Sequence, residues 1–219
     1  MKLLIVDDMR SFLDLEQTFL RRADCQLLTA STGLEAIKVA EQSHPDIILL
    51  DIEMPELNGI EATRILQKHP KLKEIPVIVV SSTTRKDEAL RAGAKDFLQK
   101  PVDEATYLSA ILKHVPLKIR KDKRVRLLAQ CEYSHDNVKK TARIKDVSTT
   151  GIFLVTGNPM DIGSKVDLFF PIPLNGGKKE IRTEAIVVRK ALDGYGLGFF
   201  QMSEGAKLYL EEFVEAHPE

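Results

Sequence analysis

The sequence predicts a doubly wound parallel α/β domain followed by a smaller antiparallel β-barrel, and three observations predict it. Apolar strand-like runs alternate with helix-period segments about five times before residue 117. Near residue 116 the chain changes character, and from Val125 it alternates with period two. From there, short strand-like stretches are separated by turns rich in Gly, Asn, Pro and Asp.

In the first part, Leu3–Val6 and Ile47–Leu50 are continuously apolar, as strands buried on both faces of a parallel sheet must be. Pro76–Val80 and Asp96–Gln99 read the same way, and Gln26–Ala30 also suits a strand. Between them, helical spacing joins Phe12, Leu15, Phe19 and Leu20, then Ala36, Ile37, Val39 and Ala40, and finally Leu108, Ile111, Leu112 and Val115. In the second part Val125, Leu127, Ala129, Cys131 and Tyr133 alternate with their neighbours. Further strands are expected at Lys140–Asp146, Ile152–Thr156, Lys165–Phe170, Ile181–Lys190 and Gly196–Phe200. Turns are expected at Gly157-Asn158-Pro159, Asn175-Gly176-Gly177 and Asp193-Gly194. A last helix, Glu204–Ala216, carries the stripe Ala206, Tyr209, Leu210, Phe213 and Val214. The expected domains are residues 1–117 and 118–219.

Composition excludes several classes. The 219 residues are 43% hydrophobic and 29% charged, with zero net charge, so no global field selects a nucleic acid or a membrane. No apolar run reaches the roughly 20 residues that span a bilayer. Asp7 and Asp8 interrupt the N-terminal apolar run, against a secretory signal. Cys25 and Cys131 are far apart and lack CxxC spacing, and the five histidines are scattered, so neither a disulfide framework nor a zinc site is suggested. A cytoplasmic protein is expected.

The chemistry of the first domain follows from where its strands end, because open α/β sheets bind ligands beyond the carboxyl ends of their strands. Asp7 and Asp8 follow the first strand, Asp51 follows Ile47–Leu50, Ser81 follows Pro76–Val80, and Lys100 follows the strand around Phe97. If those strands are neighbours, three carboxylates, a hydroxyl and an ammonium share one rim. Clustered carboxylates need a cation, and oxygen-only ligands favour Mg²⁺. Asp51 is then the nucleophile, with the metal offsetting the charge of an incoming phosphoryl group.

Ile5-Val6-Asp7-Asp8, the stretch Asp51-Ile52-Glu53-Met54-Pro55-Glu56-Leu57-Asn58-Gly59, and Lys100-Pro101 resemble the signature segments of the response-regulator receiver family, over about residues 2–117. The resemblance implies a CheY-like, five-stranded flavodoxin-type sheet phosphorylated on Asp51 by a histidine kinase. It implies Asp8 as a direct Mg²⁺ ligand, Asp7 binding through water, and the Glu53 backbone carbonyl as a further ligand. It pairs Lys100 with the phosphoryl oxygens, gives Ser81 the family's Ser/Thr role and Phe97 that of the mobile aromatic, and makes Lys100-Pro101 a cis bond. The chain between Ser81 and Gly93 is shorter than the family pattern, so a truncated fourth helix is expected, with Ser81, Ser82 and Thr83 competing for the hydroxyl role.

Lys118 to Arg126 holds six basic residues against Asp122. Such a run is a solvated linker, a nucleic-acid patch or an arginine clamp for a small dianion. Arg120 and Arg124 have RxxxR spacing, and Asp146-Val147-Ser148-Thr149-Thr150-Gly151 follows with DxSxxG spacing. Together they resemble the signatures of the PilZ domain, over about residues 118–217, which extends to Val187-Val188-Arg189 and Tyr195 to Phe200. The resemblance implies a six-stranded barrel that binds cyclic di-GMP. Arg120 and Arg124 suit its phosphates or guanine O6 and N7, Asp146 its guanine N1 and N2 donors, and Ser148 a phosphate or base edge, while Gly151 permits close backbone approach. Ile119 before the first arginine implies one ligand per domain. Against this, Asp146, Ser148 and Gly151 also suit an ordinary turn. The alternative is a degenerate barrel acting only as a protein-interaction module. No helix-turn-helix follows the first domain, so DNA binding is not expected, nor is an enzymatic output beyond phosphoryl transfer to Asp51 and its hydrolysis. Kinase, downstream target and homodimerisation on phosphorylation stay open.

Overall fold

The computed structural model describes residues 1–136, 138–174 and 177–217. It divides into two compact units, Met1–Arg120 and Lys121–Glu219.

The first unit is a five-stranded parallel sheet in the order β2-β1-β3-β4-β5. Its strands are β1 (Lys2–Val6), β2 (Gln26–Ala30), β3 (Ile47–Leu50), β4 (Val77–Ser81) and β5 (Asp96–Gln99). Helices α1 (Arg10–Phe19), α2 (Gly33–Ser43), α3 (Gly59–Lys68), α4 (Lys86–Ala92) and α5 (Glu104–Leu112) make the connections. Every residue of β3 and β4 is buried, which explains their unbroken apolar runs. The helices start where side chains can satisfy free N–H groups: Thr32 accepts from Glu35, Asn58 from Ile60 and Glu61, and Asp103 from Thr106. Helix α4 is short, at 7 residues, as the shortened chain there predicts. It ends on Gly93 at φ 110°, a left-handed cap that glycine adopts without strain.

The sheet register positions the acidic residues. Val6 pairs with Leu50, so the next residues, Asp7 and Asp51, emerge side by side, and the Asp51 N–H donates to the Val6 carbonyl at 2.9 Å. Ser81 pairs with Gln99, and the Lys100 N–H donates to the Ser81 carbonyl at 2.9 Å. Lys100-Pro101 is cis.

The second unit is a barrel with α6 (Glu204–Ala216) packed on it. Its strands are β6 (Val125–Arg126), β7 (Gln130–His135), β8 (Val138–Val147), β9 (Gly151–Val155), β10 (Lys165–Leu174), β11 (Gly177–Ala191) and β12 (Gly194–Met202). The sheet runs β6-β8-β7-β10-β11-β12-β9 and closes through β8–β9. Seven strands occupy the six positions the sequence suggests, because the period-two run from Val125 is interrupted. The Ala129 N–H turns back to the Leu127 carbonyl, Leu128 swings out to 89% exposure, and β6 and β7 pair with successive stretches of β8. The barrel interior is apolar, centred on Cys131, Tyr133, Phe170, Ile181, Val187 and Phe199, with Leu210 and Phe213 of α6 closing it. Tyr209, placed on the helix stripe by its spacing, sits at the stripe's edge and stays 37% exposed, under the Lys179 ammonium. Asn175 and Gly176 of the expected hairpin turn lie outside the described residues.

Candidate functional site

At the carboxyl rim of the first unit, carboxylate oxygens of Asp7, Asp8 and Asp51 all lie within 4.8 Å of one another. Asp7 is 1% and Asp51 7% exposed, while Asp8 faces solvent. Lys100, at the end of β5, donates to Asp7 Oδ2 at 2.5 Å and stands 3.6 Å from Asp51 Oδ1. Burial pushes the Asp7 carboxyl up, against the opposing pull of the Lys100 charge.

Asp51 Oδ1 is buried without a hydrogen-bond partner, as is the Ser81 hydroxyl at the end of β4. Ser81 is fully buried and Ser82 exposed; Thr83, in the loop beyond, also has an unpartnered hydroxyl. Phe97 is partly buried against Ile52, Ile60, Val79 and Ala89. Glu53 lies two residues beyond Asp51 with its side chain in solvent. Gly59 explains how the loop fits. A Cβ there would stand 1.9 Å from the Asp51 carbonyl oxygen, so only glycine lets α3 begin against the Asp51 backbone. The donor set is all oxygen and partly buried, with three carboxylates against one ammonium, which fits a small hard cation such as Mg²⁺.

Three neighbours carry no motif in the sequence. The Lys100 ammonium lies 3.9 Å from the centroid of the Phe12 ring, a cation–π contact from α1. Behind it, Glu16 is buried and accepts a hydrogen bond from Tyr107 Oη at 3.0 Å, and that burial raises its carboxyl to about 8. The Tyr107 hydroxyl is raised for the same reason. An acid in the middle of α1 gives no hint of such a position, because helical acids are ordinarily solvated.

In the second unit, Arg124, Asp146, Ser148 and Gly151 come together around the β8–β9 turn. Arg124 Nε donates to Asp146 Oδ1 at 2.6 Å, and its Nη1 lies 3.4 Å from Ser148 Oγ. Ser148 is fully buried. Its hydroxyl donates to the Gly151 carbonyl and accepts from the Gly151 and Thr150 N–H groups, so it builds the turn. A Cβ on Gly151 would stand 2.4 Å from the Leu197 carbonyl oxygen, so glycine is what lets β9 approach β12. Asp122, the lone acid of the basic run, accepts from the Thr150 hydroxyl at 2.6 Å and sits 3.7 Å from Arg124 Nη1. Nothing in the sequence marks it beyond its place two residues before Arg124. Arg120 belongs to the first unit, where its Nη2 donates to the Arg21 carbonyl at 3.2 Å.

A parallel sheet with clustered acids and a lysine at its carboxyl rim, followed by a barrel with an arginine–aspartate pair at one turn, defines a receiver-type signalling protein with a second, barrel module. Residues 3–112 match the family described as "Response regulator receiver domain" and residues 118–216 the family described as "PilZ domain". The chain therefore belongs to the response-regulator receiver family, with a PilZ domain following. Protein PilH of Pseudomonas aeruginosa is 40% identical over 113 residues, covering 50% of this chain and 93% of PilH. A chemotaxis protein CheY of Listeria monocytogenes is 36% identical over 115 residues, covering 52% of this chain and 97% of that protein. Among solved structures, the chemotaxis response regulator CheY4 of Vibrio cholerae superposes with a TM-score of 0.50 at 28% identity, over 52% of this chain and 98% of CheY4. No helix among the described residues is long and apolar enough to cross a membrane.

Proposed function

We propose that this chain is a two-component response regulator that accepts a phosphoryl group on Asp51 from a partner histidine kinase and reads cyclic di-GMP through its PilZ domain. The observation that carries the first half is the buried Asp51 oxygen that lacks a hydrogen bond, beside Asp7, Asp8 and the Lys100 ammonium. Asp7, Asp8, Asp51 and the Glu53 carbonyl are the residues that would hold Mg²⁺. When bound, that ion offsets the negative charge that gathers as phosphoryl oxygens meet carboxylates.

An Asp51 carboxylate oxygen attacks phosphorus and the bond to the donor imidazole nitrogen breaks, leaving an acyl phosphate on Asp51. Lys100, already 3.6 Å from Asp51, pairs with a phosphoryl oxygen. The Ser81 hydroxyl, which has no partner beforehand, donates to another. Hydrolysis of the acyl phosphate resets the domain, and no other chemistry is assigned to the chain.

In the PilZ domain, Arg124 and Arg120 take the ligand's phosphates and guanine acceptors, Asp146 takes the guanine N–H donors, and Ser148 and Gly151 shape the turn beneath. The protein acts in the cytoplasm, where kinase and nucleotide meet it, and passes the signal to a downstream protein target. A second reading has one observation in its favour. Arg124, Asp146 and Ser148 already satisfy one another, as they would in a barrel that serves only for protein contacts. Calorimetric titration with cyclic di-GMP separates the two. Saturable heat that Arg124→Ala abolishes supports a receptor, and no heat from the wild type supports the interaction module. Repeating the titration with Mg²⁺ and beryllofluoride, a phosphoryl mimic, tests coupling, since a changed affinity is a coupling free energy between the sites.

A further inference from the structure

Lys100 has a third partner besides its two carboxylates. Its ammonium donates to Asp7 Oδ2 and stands 3.6 Å from Asp51 Oδ1, and it also lies 3.9 Å from the centroid of the Phe12 ring. The Lys100 side chain is only 5% exposed. An ammonium that has lost most of its water gains more from a ring face than a solvated one does.

The rest of α1 holds the ring in place. Phe12, Glu16 and Phe19 follow one another at intervals of four and three residues, so they share one face of the helix. Tyr107, fully buried in α5, engages the other two members of that face. Its hydroxyl donates to Glu16 Oε2 at 3.0 Å, and its ring lies 5.2 Å from that of Phe19. These two contacts, on successive turns, fix the rotation of α1 about its axis, and with it the side on which Phe12 stands. An aliphatic side chain would cover the sheet there equally well, but only an aromatic one offers the ammonium a negative face.

The three partners of the ammonium are not equivalent. Asp7 and Asp51 are the carboxylates that the phosphorylation reading commits to a cation and to a phosphoryl group. Once committed, they hold Lys100 less strongly. The Phe12 ring is claimed by neither. Its attraction is spread over a face rather than aimed along a lone pair, so the ammonium can turn from Asp7 toward a group on Asp51 without leaving it.

We propose that Phe12 is a positioning residue for Lys100: its ring keeps the ammonium at the acidic rim when the carboxylates turn to other partners, and so sets how tightly the receiver holds a phosphoryl group. The proposal rests on the reading of Asp51 as phospho-acceptor and concerns the first unit alone. The ring acts through Lys100, so its effect falls on the anion that Lys100 pairs with and not on the cation that the carboxylates hold.

The test uses the full chain, with Mg²⁺ alone as one probe and beryllofluoride at saturating Mg²⁺ as the other, so no partner protein enters the measurement. Phe12→Leu keeps an apolar side chain and removes the ring face. It is expected to weaken beryllofluoride binding about tenfold while Mg²⁺ affinity stays within about twofold of the wild type. Phe12→Tyr, which keeps the face, is expected to bind beryllofluoride as the wild type does. Phe12 is half-buried, so neither change opens the core. Phe12→Met, a second variant without a ring, carries the same expectation and stands in if the leucine variant does not fold. Wild-type beryllofluoride affinity in the ring-free variants overturns the positioning role and leaves the phosphorylation reading intact. Equal losses of Mg²⁺ and beryllofluoride, or no recovery in Phe12→Tyr, also overturn it, because they mark a residue that only supports the fold. No beryllofluoride binding by the wild type overturns the phosphorylation reading and the positioning role together.

Discussion

The two candidate sites solve opposite problems with charge. In the receiver, like charges are buried together and left incompletely paired, with Asp51 Oδ1 lacking a hydrogen bond and the Asp7 carboxyl pushed up by burial. In the PilZ domain, opposite charges sit near the surface and are already paired, Arg124 with Asp146 at 2.6 Å and with Asp122 nearby. The first arrangement sets three carboxylates against one ammonium, an excess of negative charge that a cation would offset. The second is already satisfied internally, so any ligand would have to replace those bonds with better ones. Deep burial makes charge expensive and its removal decisive, whereas half-exposed pairs are screened and contribute modestly.

The largest effect should therefore come from the buried site. Asp51→Asn is expected to abolish phosphorylation by acetyl phosphate in the presence of Mg²⁺, read as loss of the mass increment on the intact protein. Next, Arg124→Ala should weaken cyclic di-GMP binding about a hundredfold, since charge-assisted hydrogen bonds to a phosphate or base edge are lost. If that variant instead binds like the wild type, the contrast between the sites has been drawn in the wrong place. Gly59→Ala is expected to destabilise the receiver by roughly 2–3 kcal/mol, because its Cβ meets the Asp51 carbonyl and the backbone must shift. An unchanged urea midpoint for the receiver transition would show that the loop beside Asp51 is slack.

A smaller effect concerns Glu16. Its ordinary value of 4.5 rises to about 8 on folding, so the folded chain keeps a proton that the unfolded chain gives up between those values. That contribution to stability is fully present below pH 4.5 and declines as pH rises toward 8, by up to about 1.4 kcal/mol per pH unit. Glu16→Gln holds no titrating proton and should flatten the decline, measured as the difference in urea midpoint between the two proteins across that range. Parallel profiles would mean that the Glu16 carboxyl reaches water.

Most of the receiver was legible because parallel strands write themselves as apolar runs, and their ends then name the rim. Asp7, Asp51, Ser81 and Lys100 were chosen by position after a strand, and the Val6–Leu50 and Ser81–Gln99 registers set them beside one another. What escaped was burial that breaks local expectation. Glu16 looks like a solvated helical acid, and Phe12 like one more apolar residue of α1, until the fold brings Tyr107 and Lys100 against them. In the barrel, alternation located the strands but not their interruptions, since nothing in Leu127-Leu128-Ala129 distinguishes a bulge from a continued strand. Spacing also grouped Arg120 with Arg124, yet spacing is blind to backbone hydrogen bonds, and those tie Arg120 to the receiver.

One ion and one phosphoryl group are expected to share the receiver's carboxyl rim. A crystal structure of the full chain with Mg²⁺ and beryllofluoride tests this directly. The expected result is Mg²⁺ at about 2.1 Å from oxygens of Asp8 and Asp51 and from the Glu53 carbonyl, with beryllium on Asp51 and Lys100 turned toward a fluoride. Beryllofluoride absent from Asp51 at saturating concentration, or Mg²⁺ bound away from these residues, would contradict it.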